Sequence, residues 1–262
     1  MKDENRRKLI ALIIGVSSVI IFIFLWDRYA SFINSPYLKG PQEVFNTLIS
    51  ILTQNQMDFT GYTISDHISA SLFRVFSGFS LAAITAIPIG LLCGWSWYID
   101  KAVSPLVEII RPIPPLSWIP FAIYFFAYPL NSIFIVFLGS FFPILLITTA
   151  GVKSIDPLLI DAAKTLGAKK FDLFRKIIVP ASISSIMTGL RVSIGIGWMC
   201  LAAAELVAVK GGGLGLYISE MSSVGLFANV FAGMIIIGAL GFIMVWSMTY
   251  IERRLTRWVG MS

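Results

Sequence analysis

The 262-residue sequence is poor in the residues that carry most catalytic and metal chemistry. It has one histidine, His67, and two cysteines, Cys93 and Cys200. The cysteines lie far apart inside apolar segments, with no second Cys or His at ligand spacing, so they read as reduced packing residues and no metal site is expected. His67 reads as a polar residue at an interface. No nucleophile and base share a segment. Gly-Lys-Ser and Gly-Lys-Thr are both missing, so no P-loop is present to cradle nucleotide phosphates. The chain is expected to be no enzyme and to carry no cofactor.

Charge is scarce as well. Asp, Glu, Lys and Arg make up 13% of the residues against 57% hydrophobic, and the mean hydropathy is +0.84. A soluble fold of this composition would leave much apolar surface in water. The expected class is an all-α, polytopic membrane protein with about six transmembrane helices, because each crossing needs roughly 20 residues. Hydropathy places the spans at roughly 9–25, 70–94, 105–127, 131–152, 181–208 and 227–250. The first follows "MKDENRRK", and its long apolar core with the poor cleavage site in "WDRYASF" marks a retained anchor rather than a signal peptide. Residues 1–65 then comprise a tail, an anchor helix and an external loop, and residues 66–258 comprise the transmembrane domain.

Basic residues set the orientation. With the N-terminus in the cytoplasm, the inner side holds Lys2, Arg6, Arg7, Lys8, Lys101, Arg111, the cluster in 153–191, and Arg253, Arg254 and Arg257. These are sixteen of the twenty Lys and Arg residues, against Arg28, Lys39, Arg74 and Lys210 outside. The positive-inside rule selects this topology, with both termini cytoplasmic in a cell membrane. The net charge of +6 needs no nucleic acid to explain it. Glu108 and Glu205 lie toward span ends and no paired repeat is present, which disfavours an ion-coupled secondary transporter.

Several local patterns stand out. "PQEVFNTLISILTQ" opens with Pro41 at a helix start and sets Val44, Leu48, Ile51 and Leu52 on one face, for a helix on the membrane surface or packed on the bundle. "RPIPPLSWIP" gathers four prolines. Irregular backbone at membrane depth needs protein or a water-filled cavity around it, so this segment is expected to bend and to line a passage, or to kink at the interface. Arg111, Pro114, Pro115 and Trp118 are its candidate pathway residues. Arg191 lies about 16 Å along a helix from Pro180, where a guanidinium can bind an oxyanion or serve as a structural anchor. Glycines at 189, 195, 197, 233, 238 and 241 permit close helix packing.

The stretch "LLIDAAKTLGAKKFDLFRKIIVPASI", residues 158–183, is helical in pattern and basic. Asp156 or Ser154 caps a helix with Pro157 just inside it, Leu158, Leu159, Ala162 and Leu166 share a face, and Gly167 ends it. A second short helix carries Phe171, Phe174, Ile177 and Ile178 before Pro180 opens the next span. Two short helices joined at a glycine fit a groove on a partner or form a solvated amphipathic loop.

"DAAKTLGAKKFDLFRKIIVP" resembles the cytoplasmic loop of ABC importer permeases: Glu-Ala-Ala, three residues, Gly, nine residues, Ile, one residue, Leu-Pro. Ala162, Ala163, Gly167, Ile177 and Pro180 fall at those positions, with Asp161 for the glutamate and Val179 for the leucine. "HISASLFRVFSGFSLAAITAIPIGLLCGW", "VSPLVEIIRPIPPLSWIPF", "LGSFFPILLITTAGVKSIDP" and "IMTGLRVSIGIGW" are similar to the branch serving nitrate, alkanesulfonate, taurine and bicarbonate. The resemblance implies a type I importer fold, two permease copies in the bilayer, two cytoplasmic ATPase subunits docked on residues of about 153–180, and an external solute-binding protein. It implies an ATPase-coupling role for Asp161, Ala162, Ala163, Gly167, Ile177 and Pro180. The cargo implied is a small oxyanion, with thiamine or riboflavin precursors as the alternative.

Overall fold

A computed structural model describes residues 2–54, 57–207 and 211–256, without the side chains of residues 2–6 and 8. Lys210 and Arg257, assigned above to the outer and inner sides, lie outside the described residues, as do the ends of the expected fifth span at 208 and of the expected domain at 257–258. Every regular element among the described residues is helical. Among the described residues five helices are long and apolar enough to cross a membrane, or six if one bent helix pair counts as a single span.

The chain groups into two compact units, Met1–Ile64 with Tyr217–Ile236, and Ser65–Leu216 with Ile237–Ser262. The first holds α1 (Lys2–Ile33) and α2 (Pro41–Gln54). The apolar faces of α1 between Leu9 and Leu25 are exposed, as lipid contact requires. This helix runs past the expected end at residue 25, because no breaker occurs before Asn34, whose φ is +46°, and Pro36. Its last turns have work in the protein: Ala30 is buried, the Trp26 indole N–H donates to the Lys39 carbonyl at 3.1 Å, and Trp26 lies 5.9 Å from the Phe231 ring. In α2, Val44 is buried, Leu48 and Ile51 are half-buried and Leu52 is exposed.

The second unit carries α3 (Ile64–Trp95) from Ser65 onward, α4 (Trp97–Ile110), a 3-10 turn (Pro115–Trp118), α5 (Ile119–Phe125) and α6 (Leu130–Lys153). It continues through α7 (Pro157–Thr165), α8 (Lys170–Leu173), a π turn (Phe174–Ile178), α9 (Val179–Ala181) and α10 (Ile183–Val207). Helix α11 (Leu214–Ser223) begins in this unit, and α12 (Phe227–Leu255) ends in it. The expected third span is two helices set at 81°. Pro112, Pro114 and Pro115 each lack a backbone donor, and Pro115 holds the preceding Pro114 extended, with φ −56° and ψ 135°. Helix α3 starts six residues before its expected boundary at 70, and this extension takes in His67. That residue is fully buried within the protein.

Packing in this unit depends on small residues. A Cβ built on Gly197 of α10 would lie 2.5 Å from Ser140 Oγ of α6, and one on Gly139 would lie 2.7 Å from Cys200 Sγ. Gly78 and Gly90 of α3 face α6 in the same way, at 2.7 Å from Val136 Cβ and 2.9 Å from Thr148 Cβ. Around these contacts sit Ala82, Ala86, Ile144 and Leu145 between α3 and α6, and Ala122, Ile135, Cys200 and Ala204 among α5, α6 and α10. Cys93 and Cys200 are both buried and free. Of the other glycines expected to pack closely, a Cβ on Gly241 would lie 2.9 Å from Trp198 Nε1, whereas one on Gly238 would have nothing within 4 Å.

This contrast makes a prediction. Gly197→Val overpacks the α6–α10 contact by about 1–3 kcal/mol and is expected to lower the thermal midpoint of the detergent-solubilised protein. Gly238→Ala is expected to leave it unchanged or slightly raised. Equal midpoints, read by size exclusion after heating, would show that this contact does not limit stability.

Candidate functional site

The loop between α6 and α10 is built from its caps inward. Asp156 Oδ1 accepts the Leu158 N–H at 2.8 Å, and Pro157 occupies the first helical position of α7, where a missing N–H costs nothing. At the other end the Gly167 N–H donates to the Lys164 carbonyl at 2.9 Å and the Ala168 N–H to the Ala163 carbonyl at 3.1 Å. This pair of bonds is a Schellman motif. It requires the positive φ seen at Gly167, +83°, which a residue with a Cβ adopts at a cost of about 1–2 kcal/mol.

The two halves of the loop differ in surroundings. On α7, Leu158, Leu159 and Leu166 are 76%, 50% and 89% exposed, Ala162 is exposed and Ala163 half-buried. The exposed Asp161 carboxylate accepts from Lys164 Nζ at 2.8 Å. After Gly167 the chain is clamped to the bundle. Leu173 and Ile178 are buried, Ile178 joins Leu91 and Val152 in one cluster, and Phe174 lies 6.1 Å from the Trp95 ring. Ile177 and Pro180 are half-buried, while Lys169, Lys170, Arg175 and Lys176 point outward. An apolar, uncovered helix is thus held rigidly by a second piece seated on α3 and α6.

The pathway candidates are dispersed. Arg111 and Pro114 are exposed, Pro115 and Trp118 half-buried. Trp118 packs on the Ala122, Ile135, Cys200 and Ala204 cluster, edge-on to Phe121 at 5.7 Å. Arg111 lines a cleft of about 240 Å³ with Asp100, Ser104, Glu108, Thr149 and Lys153. Arg191 stands apart from this cleft. Its Nε lies 3.1 Å from Glu252 Oε2, and Thr188 Oγ1 donates to Glu252 Oε1 at 2.8 Å, so Arg191 and α12 share a polar contact.

One constellation was not visible in the sequence. Arg74 and Glu205, assigned to the outer side and to a span end, form an ion pair within the bundle in which each side chain is 1% exposed. Glu205 also accepts from Ser71 Oγ at 2.8 Å and from the Gly215 N–H at 3.1 Å. Arg74 Nη2 donates to the Tyr128 hydroxyl at 2.5 Å and to the Gly211 and Gly212 carbonyls at 2.8 and 2.9 Å. The Gly213 N–H donates to His67 Nδ1 at 2.9 Å, and the Leu214 N–H to Ser71 Oγ at 2.9 Å. Arg74 Nε has no hydrogen-bond partner among the described residues. The available signal was two opposite charges within apolar segments and the run Gly211-Gly212-Gly213.

Comparisons with known proteins agree with this architecture. The family described as "Binding-protein-dependent transport system inner membrane component" matches residues 86–257. A permease protein of an ABC transporter from Methanocaldococcus jannaschii is 39% identical over 94% of this chain and 92% of its own length. The taurine transport system permease protein TauC of Escherichia coli is 31% identical over 96% of this chain and 90% of its own. The bicarbonate transport system permease protein CmpB of Synechococcus elongatus is 30% identical over 96% and 92%. Among solved structures, an inward-facing MetNI methionine ABC transporter shares the fold, with a TM-score of 0.64 at 18% identity over 72% of this chain and 94% of that one.

The chain therefore belongs to the family of binding-protein-dependent transport system inner membrane components. Within it, the chain is a type I ABC importer permease of the branch that includes the taurine and bicarbonate permeases, a multi-pass inner membrane protein whose ATPase is a separate subunit.

The Arg191–Glu252 contact separates two roles for Arg191. If the guanidinium meets the cargo, Arg191→Gln is expected to reduce anion uptake several-fold while Glu252→Gln, which frees the same guanidinium, does not. If the pair is an anchor, both variants weaken assembly alike, by no more than about 1 kcal/mol for a pair this exposed. Uptake and complex yield measured on both variants decide.

Proposed function

We propose that two copies of this chain form the translocation path of an ATP-driven importer for a small oxyanion, of the sulfonate or bicarbonate kind. An external binding protein delivers the cargo, and two cytoplasmic ATPase subunits drive it by docking on residues of about 153–180. The observation that carries this reading is the uncovered leucine face of α7, fixed between two membrane helices by a capped turn and a buried second half. A solvated connector would expose polar groups there; three exposed leucines on a basic loop call for a partner.

Each candidate then has a task. Ala162 and Ala163 permit close approach of the ATPase, since neither carries bulk beyond Cβ. Asp161 offers a carboxylate that exchanges Lys164 for a partner's donor. Gly167 sets the angle between α7 and α8, and Ile177 and Pro180 seat the second half so that displacement of α7 is passed on to α10. The excess of Lys and Arg on this loop and beside both termini supports a cytoplasmic position for all three. The oxyanion assignment draws on the relatives named for taurine and bicarbonate, and on guanidinium groups at Arg111 and Arg191 that match paired anionic oxygens. ATP-driven uptake of labelled taurine and bicarbonate by vesicles holding the permease, its ATPase and its binding protein tests the cargo. Uptake of neither would remove the oxyanion reading.

The coupling role yields its own prediction. Gly167→Val is strained by the positive φ and is expected to misdirect α8. Ala163→Trp is expected to wedge the docking face open, and Lys169→Ala, on the solvated side, to be mild. The first two variants should insert in the membrane yet lose the ATPase on purification, or keep it with hydrolysis no longer driving uptake. Wild-type co-purification and uptake in both would reduce this loop to a connector.

A further inference from the structure

We propose that the buried Arg74–Glu205 pair is a latch that closes the end of the bundle opposite the coupling loop, and that it separates in each transport cycle. The inference rests on the importer reading above. The coupling loop joins the C-terminal end of α6 to the N-terminal end of α10. The latch lies at the other ends of the same helices. Glu205 is in the last turn of α10, and Tyr128 is two residues before α6 begins. Arg74, on α3, gathers Glu205, Tyr128 and the carbonyls of Gly211 and Gly212, so one side chain ties four segments together.

The chemistry suits a closure that must open better than a permanent staple. Apolar side chains of similar volume hold buried helices at least as well as a charge pair, without the desolvation penalty. A charge pair differs in its response to water. It is strong while dry and loses most of its attraction once water reaches it, because the effective dielectric rises severalfold. The latch therefore resists the first separation and offers little resistance afterwards. Its incomplete satisfaction at Arg74 Nε lowers the barrier to that first step. The backbone of Gly211–Gly213 lies over the pair without side chains, and a Cβ on Gly213 would meet Arg74 Nη1 at 2.6 Å and Glu205 Oε1 at 2.7 Å.

The test locks the latch reversibly. The Leu214 N–H reaches Ser71 Oγ at 2.9 Å, which puts the two Cα atoms within about 7 Å, at the limit of disulfide geometry. Ser71→Cys with Leu214→Cys, in a Cys93→Ser, Cys200→Ala background and assembled with the ATPase in vesicles, is expected to lose ATP hydrolysis by about tenfold on oxidation and to regain it on reduction. Cross-linked complex that hydrolyses ATP at the reduced rate overturns the latch. Two further variants keep the native cysteines. Glu205→Gln weakens the closure and is expected to raise hydrolysis in the absence of binding protein several-fold. Arg74→Met with Glu205→Leu also strips partners from the Gly211 and Gly212 carbonyls and the Gly215 N–H, and is expected to raise it as well. Assembled complexes in which neither variant moves hydrolysis also overturn the latch, whereas a wild-type chain that binds no ATPase removes the importer reading instead.

Discussion

Close approach of α6 and α10 is the constraint on which the rest depends. Lipid tails are as apolar as leucine, so the bilayer supplies no hydrophobic force to bring helices together, and contact must come from packing. The two helices meet where Gly139, Gly197 and Ser140 leave no bulk between them, with Cys200 filling the gap. A contact this tight resists sliding of α6 against α10 and transmits strain along the pair. Helix α10, with 25 residues, spans about 37 Å at 1.5 Å per residue. A displacement at one end of such a pair reaches the other without being absorbed in between.

The two ends of that pair carry opposite chemistry. At one, the leucines of α7 stand in solvent, and each gains about 1.5–3 kcal/mol when fully covered. At the other, Arg74 and Glu205 are already covered, and their attraction falls when water enters. Burial at the first end can therefore be set against separation at the second. This pairing of a surface that strengthens on contact with a core contact that weakens on wetting is what a two-state element needs. On the proposed coupling role, a floating α8 would dissipate the motion before it reached α10, and the buried second half of the loop prevents that.

Much of this was legible in the sequence, and the rest was not for identifiable reasons. Local signals sufficed for the spans, for the bend at "RPIPPLSWIP", and for α7, where cap, N1 proline and terminating glycine stand in order. The boundaries of α1 and α3 failed because a hydropathy window registers apolarity, while a helix continues until something stops it, as Asn34 does. The Arg74–Glu205 pair joins residues 131 positions apart, and no periodicity links them. The burial of His67 was not legible for the same reason. Its polarity pointed to an interface, but the Gly213 N–H that its Nδ1 accepts from comes from the far side of the sequence.

The glycine run ties these readings together. Gly211, Gly212 and Gly213 all have positive φ, at +82°, +71° and +131°. Gly213 is the position that only glycine can hold, since a side chain there would occupy the space of the ion pair itself. A segment so built covers the charges with backbone alone. It supplies carbonyls to the guanidinium and the Gly213 N–H to His67, and the next two N–H groups reach Ser71 and Glu205. No side chain of the three glycines interlocks with the core, and the cost of the segment is the entropy of ordering glycine. Side-chain packing fixes the middle of the α6–α10 pair, whereas hydrogen bonds to bare backbone close its end, and hydrogen bonds are the contacts that water can replace.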